Sequence, residues 1–257
     1  MANQILLDKV AVVTGAGSGI ARSTAIAFAR EGAAVTVVDI NRAAAERTVS
    51  AITDQGGRAV LSVCDVASRS AVDATVAATV SAFGRLDILV NAAFANPAFG
   101  KPFIEQTERD VQVNLSTSFM GTWNFMQAAF PHLPRPGGKV INFVSAAFTE
   151  GQLGMAAYGA AKGAVAGLVN CVCQEWGPLG INVNNISPVV HTEAYDEFLK
   201  TAPPGAHEGY IALNPMRRLG DPDRDAARVA VFLAGPDSDY INGRIISVDG
   251  GRGLYRF

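Results

Sequence analysis

The chain has 257 residues, 49% of them apolar and only 17% charged, with 21 basic side chains against 23 acidic ones and a formal net charge of −2. High hydrophobicity with so little net charge excludes a disordered chain, and the even balance leaves no basic stripe for nucleic acid. Cys64, Cys171 and Cys173 are an odd set without C-x-x-C spacing, which argues against a disulfide scaffold or a zinc pair and for small apolar core or interface residues.

In chain order, the N-terminus shows no basic flank followed by an apolar stretch, so a secretory signal is not expected. No run of 18 apolar residues follows, and the nearest, 163–173, is broken by Asn170. A cytoplasmic protein with no membrane span is therefore expected. The first apolar run, 9–14, leads into T-G-A-G-S-G-I-A (14–21) and a helix over 20–31. A strict G-x-G-x-x-G fails because its third glycine falls on Ile20; Gly15-x-x-x-Gly19 describes the loop better. Glycines between strand and helix let the backbone approach a pyrophosphate, while the helix N-terminus offers free N–H groups to the anion. On its own this is weak evidence, since turn-forming glycines are common.

The second run, 33–39, ends on Asp39, twenty residues after Gly19. An acid there can accept both ribose hydroxyls of adenosine and repels a 2′-phosphate, which favours NAD over NADP. Arg42 is near enough to soften that preference, and the plainer role for Asp39 is to cap the next helix. Further runs at 59–64, 86–90, 139–145, 181–187 and 244–248 alternate with helical stretches at 42–55, 69–83, 105–130, 155–176 and 224–233. The runs are rich in Val and Ile and lack clean alternation, the pattern of strands buried on both faces. One α/β domain over 1–257 is expected: a Rossmann-type, doubly wound parallel sheet of about seven strands with helices on both faces.

The fifth run is expected to end at Ser145, and the helix after it opens with Tyr158-Gly-Ala-Ala-Lys162. Four-residue spacing puts phenol and ammonium on one helical face. To act as an acid/base near neutrality the phenol must fall from about 10 to about 7, worth about 4 kcal/mol. One cation at about 4 Å, at an effective dielectric near 20, supplies that much. The spacing alone occurs often by chance. Its place after the fifth strand puts it, with Ser145 and the glycine loop, on the carboxyl-end rim where such sheets bind ligands.

These features, with Cys64-Asp65-Val66, Asn91-Ala92-Ala93, Asn114, Pro188 with Thr192, and Val248-Asp249-Gly250-Gly251, stand in an order that resembles the short-chain dehydrogenase/reductase family over essentially the whole chain. The resemblance implies hydride transfer between a nicotinamide and a carbonyl or alcohol carbon. It implies that Tyr158 is the acid/base, that Lys162 lowers its pKa and holds the nicotinamide ribose, that Ser145 holds the substrate oxygen, and that Asn114 anchors a water on a proton path. NAD contacts carried over by resemblance are Gly15, Ser18, Gly19, Ile20, Asp39, Ile40, Asp65, Val66, Asn91, Ala92, Tyr158, Lys162, Pro188, Val190 and Thr192; no metal is implied. Three positions depart from the family's glycines: Ala21, Phe94 and Val189. Phe94 falls near the meeting place of nicotinamide and substrate, where it either lines an apolar pocket or crowds the cofactor, and lining is preferred. Val189 requires an ordinary backbone conformation, since β-branched residues resist positive φ.

The segment at about 190–216 is, by the same resemblance, a lid over the substrate, in two helical pieces at 192–200 and 206–213 split by Pro203, Pro204 and Gly205. Phe94, Phe148, Met155, Tyr195 and Phe198 could form an apolar wall, and no Arg or Lys of the lid stands out as an anion clamp. The expected substrate is a medium-sized, mostly apolar secondary alcohol or its ketone. His191 reads as a hydrogen-bonded structural residue, and Arg217-Arg218 as a surface pair. The helix over 155–176 is rich in Ala and Gly, and in the family that helix pairs across a two-fold axis, so a homotetramer is expected. The alternatives are an NADP-linked 3-oxoacyl-type ketoreductase, which Asp39 opposes, and a non-catalytic dinucleotide-binding module, which has no physical reason to keep Ser145, Tyr158 and Lys162.

Overall fold

The apolar runs become the strands of one sheet, because a segment apolar on every residue is stable only where both faces are covered. The computed structural model describes residues 4–201 and 204–253, apart from the side chains of Ala194, Phe198 and Thr201. The order is β1 (Val10–Thr14), α1 (Gly19–Arg30), β2 (Ala34–Asp39), α2 (Arg42–Thr53), β3 (Arg58–Val63), α3 (Arg69–Phe83), β4 (Ile88–Asn91), α4 (Glu108–Asn114), α5 (Gly121–Ala129), β5 (Lys139–Phe143), α6 (Ala156–Trp176), β6 (Asn182–Pro188), α7 (Glu193–Thr201), α8 (Ala206–Ala212), α9 (Arg228–Ala234) and β7 (Ile245–Val248). The seven strands lie side by side as β3-β2-β1-β4-β5-β6-β7, all parallel. Strand order reverses between β1 and β4, which is where such a sheet opens a crevice at its carboxyl edge.

Successive residues of a strand face opposite sides, so each strand feeds two cores. Ala11, Val13, Val35, Val37, Val90 and Ile141 meet Phe28 of α1 and Leu233 of α9. Val12, Leu89, Val140 and Val183 meet Val76 of α3, Phe125 of α5 and Val169 of α6. Phe28 and Phe125 are fully buried, and truncating either to Ala would cost about 3–5 kcal/mol.

Four expectations need correction. β3 and β7 are not buried on both faces; they are the sheet edges, with one neighbour each, and are partly exposed. β5 stops at Phe143, so Ser145 lies in the turn beyond it. The single helix expected over 105–130 is α4 and α5 joined by a π-helical turn, Leu115–Met120, with its N-terminus fixed by a capping box between Thr107 and Asp110. The helix after Asp221 begins as another π-helical turn, Pro222–Ala227. Cys64 and Cys173 are buried, whereas Cys171 is exposed on the outer side of α6. By length and composition Ala156–Leu179 could cross a membrane, but in this fold Ala161, Val165, Val169 and Trp176 of that stretch are buried.

Candidate active site

The glycine loop is held at the switch point by side chains from both flanking strands. Thr14 Oγ1 accepts from the N–H groups of Ala92 (3.0 Å) and Ala93 (3.2 Å), tying the end of β1 to the end of β4. Gly15 has φ +70°, and a Cβ there would stand 2.9 Å from Ala93 Cα. Behind the loop, Thr48 Oγ1 of α2 donates to the Ala16 carbonyl at 2.8 Å. At Gly17 a Cβ would be 2.8 Å from both Asp39 Oδ2 and Ala44 Cβ. Gly17 N–H instead donates to Asp39 Oδ2 at 2.9 Å, and Asn41 N–H donates to Oδ1 at 2.8 Å. Asp39 therefore does not cap α2; Asn41 does, accepting from Ala44 N–H at 3.1 Å. Arg42, the residue that could have offset Asp39, pairs with Glu46 at 3.5 Å.

The other positions carried over for the dinucleotide line the same edge. Ser18 is exposed and Ile20 half-buried at the start of α1, and Ile40 is exposed just past β2. Asp65 is exposed and accepts from Ala67 N–H at 2.9 Å. Val66 is buried against Gly121, where a Cβ would stand 2.6 Å from Val66 Cγ2. Asn91 is buried, donates to Asn142 Oδ1 at 2.8 Å, and its own Oδ1 has no partner among the described residues. Beyond β6, Pro188 leads to Val190, which bridges to Gly220, and the Thr192 carbonyl accepts the first amides of α7, those of Tyr195 and Asp196. Val189 is buried with no positive φ, and Ala21 is a buried core residue.

The chemical groups meet at the start of α6. Gly159 lets the helix approach the turn after β5: a Cβ there would be 3.1 Å from the Ala147 carbonyl. Ser145, whose Oγ accepts from Ala147 N–H at 3.1 Å, stands close enough to Tyr158 to pull its pKa down. Lys162 is buried, and its Nζ donates to the Phe143 carbonyl at 2.8 Å. Nζ lies 5.7 Å from the ring centroids of both Tyr158 and Phe94. Phe94 meets Tyr158 edge-on at 5.7 Å and is half exposed.

The expected acid phenol is not what this arrangement gives. Burial pushes Tyr158 up to about 12, the Ser145 hydroxyl pulling back only in part. Burial also pushes Lys162 down to about 8. The reason is geometric: the ammonium is spent on the Phe143 carbonyl and stands beside the phenol ring, so desolvation outweighs attraction.

Asn114 is fully buried at the junction of α4 with the π-helical turn, a distortion that often marks functional sites. Its Nδ2 donates to the Asp110 carbonyl at 2.9 Å and to Asn96 Oδ1 at 3.4 Å, and its Oδ1 has no partner among the described residues. Sequence reasoning missed Gln106. Its Oε1 accepts from Ala157 N–H at 2.9 Å and its Nε2 donates to the Lys101 carbonyl at 2.8 Å, fixing the first turn of α6 beside Tyr158.

Of the expected substrate wall, Phe148 and Met155 are half-buried beside this centre, the latter taking a hydrogen bond from Asn96 Nδ2 at 3.4 Å. Tyr195 of α7 meets His207 Nδ1 at 3.1 Å and the Tyr210 ring at 5.3 Å. The Phe198 side chain lies outside the described residues. His191 pairs with Asp196 at 2.7 Å and Arg218 with Asp225 at 2.6 Å, both on the surface. Tyr210, Glu150 and Arg252 join this region from elements where no motif announced them.

A family model described as Enoyl-(Acyl carrier protein) reductase matches residues 15–252. The chain belongs to the short-chain dehydrogenase/reductase family. It is 39% identical over 251 residues to the short-chain reductase protein NovJ of Streptomyces niveus, covering 95% of this chain and 94% of that one. A 7α-hydroxysteroid dehydrogenase complexed with NADH and 7-oxo glycochenodeoxycholic acid superposes with a TM-score of 0.89 at 32% identity, covering 97% and 96% of the two chains. A short-chain dehydrogenase of Burkholderia cenocepacia in complex with NADP does so with a TM-score of 0.88 at 31% identity, covering 97% of this chain and all of that one. The protein is thus an oxidoreductase that transfers hydride between a nicotinamide cofactor and an alcohol or ketone. Its residues fit such a dinucleotide: Gly15 and Gly17, where any Cβ would collide with Ala93 or with Asp39 and Ala44, hold the loop close to the ends of β4 and β2 with no side chain of their own in the way. The Gly19 N–H at the start of α1 already holds an anion, the Glu193 carboxylate, at 3.1 Å.

Proposed function

We propose that this short-chain dehydrogenase uses NAD(H) and acts on a medium-sized, mostly apolar secondary alcohol or the corresponding ketone. The observation that carries the cofactor preference is Asp39. Its carboxylate stands at the glycine loop on Gly17 N–H, where a 2′-phosphate would meet a fixed negative charge. The nearest candidate to soften it, Arg42, is engaged by Glu46. The substrate reading rests on Phe94, Phe148 and Met155 around the phenol. The test is a fluorescence titration with NADH and NADPH: tighter NADH binding is expected, and tighter NADPH binding would overturn the assignment.

A nicotinamide, when bound, would supply or take the hydride at the carbon bearing the substrate oxygen. Ser145 and Tyr158, which stand side by side, would hold that oxygen between their hydroxyls, where charge builds during the transfer. Tyr158 gives its proton in reduction and takes one in oxidation. A phenol near 12 is fully protonated at neutral pH, which suits it to donate. In oxidation the Lys162 charge must be felt more strongly than it is here. The free carbonyl oxygen of Asn114 would hold a water through which the proton leaves.

The small residues of α6 serve two surfaces. Gly159 faces the Ser145 turn, whereas a Cβ at Gly167 would meet nothing within 4 Å among the described residues, and Gly167 joins an open groove of about 870 Å³ with Phe119, Trp123, Leu168, Cys171 and Val172. We infer that copies of the chain pair through this groove and assemble as a homotetramer. Trp123→Glu should then lower the mass seen by light scattering, and an unchanged mass would remove the groove from the assembly.

A further inference from the structure

Arg252 follows β7 by four residues and comes back to the rim that carries Ser145. Its side chain is only 10% exposed. The guanidinium carbon stacks 4.2 Å over the ring of Tyr210 on α8. Its Nε is 3.4 Å from Glu150 Oε2, on the turn that leaves Ser145. Its Nη1 is buried and has no hydrogen-bond partner among the described residues. The neighbouring Asp249 does not bond it; its oxygens accept from the backbone N–H groups of Gly251 and Gly253, each at 2.9 Å.

A guanidinium carries five donors, no acceptor, and is always charged. Burying one of its N–H groups without a partner is costly, and the lost bond is recovered only if something arrives with an acceptor. The position restricts what can arrive. Tyr210 links Arg252 to the chemistry: its phenol is near enough to oppose ionisation of Tyr158. A ligand reaching Nη1 would come in beside the Glu150 turn, which follows Ser145 and carries Phe148.

We propose that Arg252 is a specificity-determining residue that binds a carboxylate carried by the substrate at the end remote from its carbinol carbon. This rests on the reading of the cleft as the substrate site, and it narrows the substrate from an apolar alcohol to an apolar-bodied hydroxy or oxo acid. Glu150 holds the Nε edge of the fork and leaves the Nη1 side for the ligand. Tyr210 keeps the guanidinium plane fixed through stacking, so little order is lost on binding.

The test uses the full chain with three probes: cyclohexanecarboxylate, cyclohexanecarboxamide and 3-hydroxycyclohexanecarboxylate, the last compared with cyclohexanol as substrate. Calorimetry, with and without NADH, should show the carboxylate binding about tenfold or more tighter than the carboxamide. Arg252→Met should erase that difference, and Arg252→Lys should keep part of it. In turnover, Arg252→Met should lower kcat/KM for the hydroxy acid about tenfold more than for cyclohexanol, through KM. Equal binding of carboxylate and carboxamide by the wild type, or an unchanged preference in Arg252→Met protein that still binds NADH, would overturn the proposal. Arg252-dependent carboxylate binding without oxidation of any probe alcohol would uphold Arg252 and count against the substrate reading instead.

Discussion

The Glu193 carboxylate lies 3.1 Å from the backbone N–H of Gly19, across 174 residues of chain, so the first residue of α7 is bonded to the first residue of α1. An anion at a helix N-terminus is stabilising, and the family's dinucleotide presents its pyrophosphate to the same loop. On the proposed reading of this loop, Glu193 and a bound cofactor would compete for one amide. Replacing Glu193 by Gln or Ala should tighten NADH about fivefold, since about 1 kcal/mol of charge-assisted bonding no longer has to be broken. The same variants should lose a few tenths of a kcal/mol of stability in thermal melts. Weaker NADH binding would mean that Glu193 helps the cofactor rather than yielding to it.

Lys162 makes stability and function pull in opposite directions. Its folded pKa of about 8 lies below the ordinary 10.5, so the unfolded chain binds that proton more tightly. Above the ordinary value both forms are neutral and nothing is lost. Stability falls as pH drops from there through 8, by up to about 3 kcal/mol once the buried amine is fully charged. Lys162→Met should raise the unfolding midpoint in urea at neutral pH while abolishing turnover. The gain should shrink when the experiment is repeated near pH 9.5. A Met variant less stable than wild type at neutral pH would contradict burial as the cause of the shift.

Tyr158 titrates on the other side. Its value of about 12 is above the ordinary 10, so the protonated phenol persists through neutrality. Ketone reduction, which consumes that proton, should vary little between about pH 6 and 8. Alcohol oxidation should climb with alkalinity. In the protein without dinucleotide, the ultraviolet difference between wild type and Tyr158→Phe should reveal a phenol ionising near 12, and ionisation near 7 would show that Lys162 acidifies it unaided.

Gln106 is a positioning residue, acting on Tyr158 through the first turn of α6. Gln106→Leu removes the acceptor at Ala157 N–H and should cost about 1 kcal/mol of stability. Because the helix start carries Tyr158, kcat should fall while the NADH dissociation constant stays put, and Gln106→Glu, which keeps the acceptor, should recover most of kcat. Loss of NADH binding in Gln106→Leu would point to general unfolding instead.

Much of this site could be read before the fold was seen, because it is encoded locally. Val- and Ile-rich runs give parallel strands wherever they alternate with helices. Tyr158 and Lys162 share a face because four residues make about one turn, and Asp39 reaches the glycine loop because it ends the neighbouring strand. What was not legible depends on partners distant in sequence. Asn41 rather than Asp39 caps α2, since Gly17 claims the Asp39 carboxylate. Lys162 bonds the Phe143 carbonyl, a contact made by packing and invisible in a spacing. Arg252 and Tyr210 meet only because the segment after β7 returns to α8. The exposed edge strands β3 and β7 carry apolar residues like the interior ones, so composition alone could not tell them apart.

The account stands on the Tyr158 hydroxyl as the proton carrier. The most direct measurement is single-turnover reduction of a ketone by protein preloaded with NADH, wild type against Tyr158→Phe, with the NADH dissociation constant measured alongside. The expected result is an unchanged dissociation constant with hydride transfer slowed by a factor on the order of 10³ or more. Transfer at the wild-type rate in the Phe variant would contradict it.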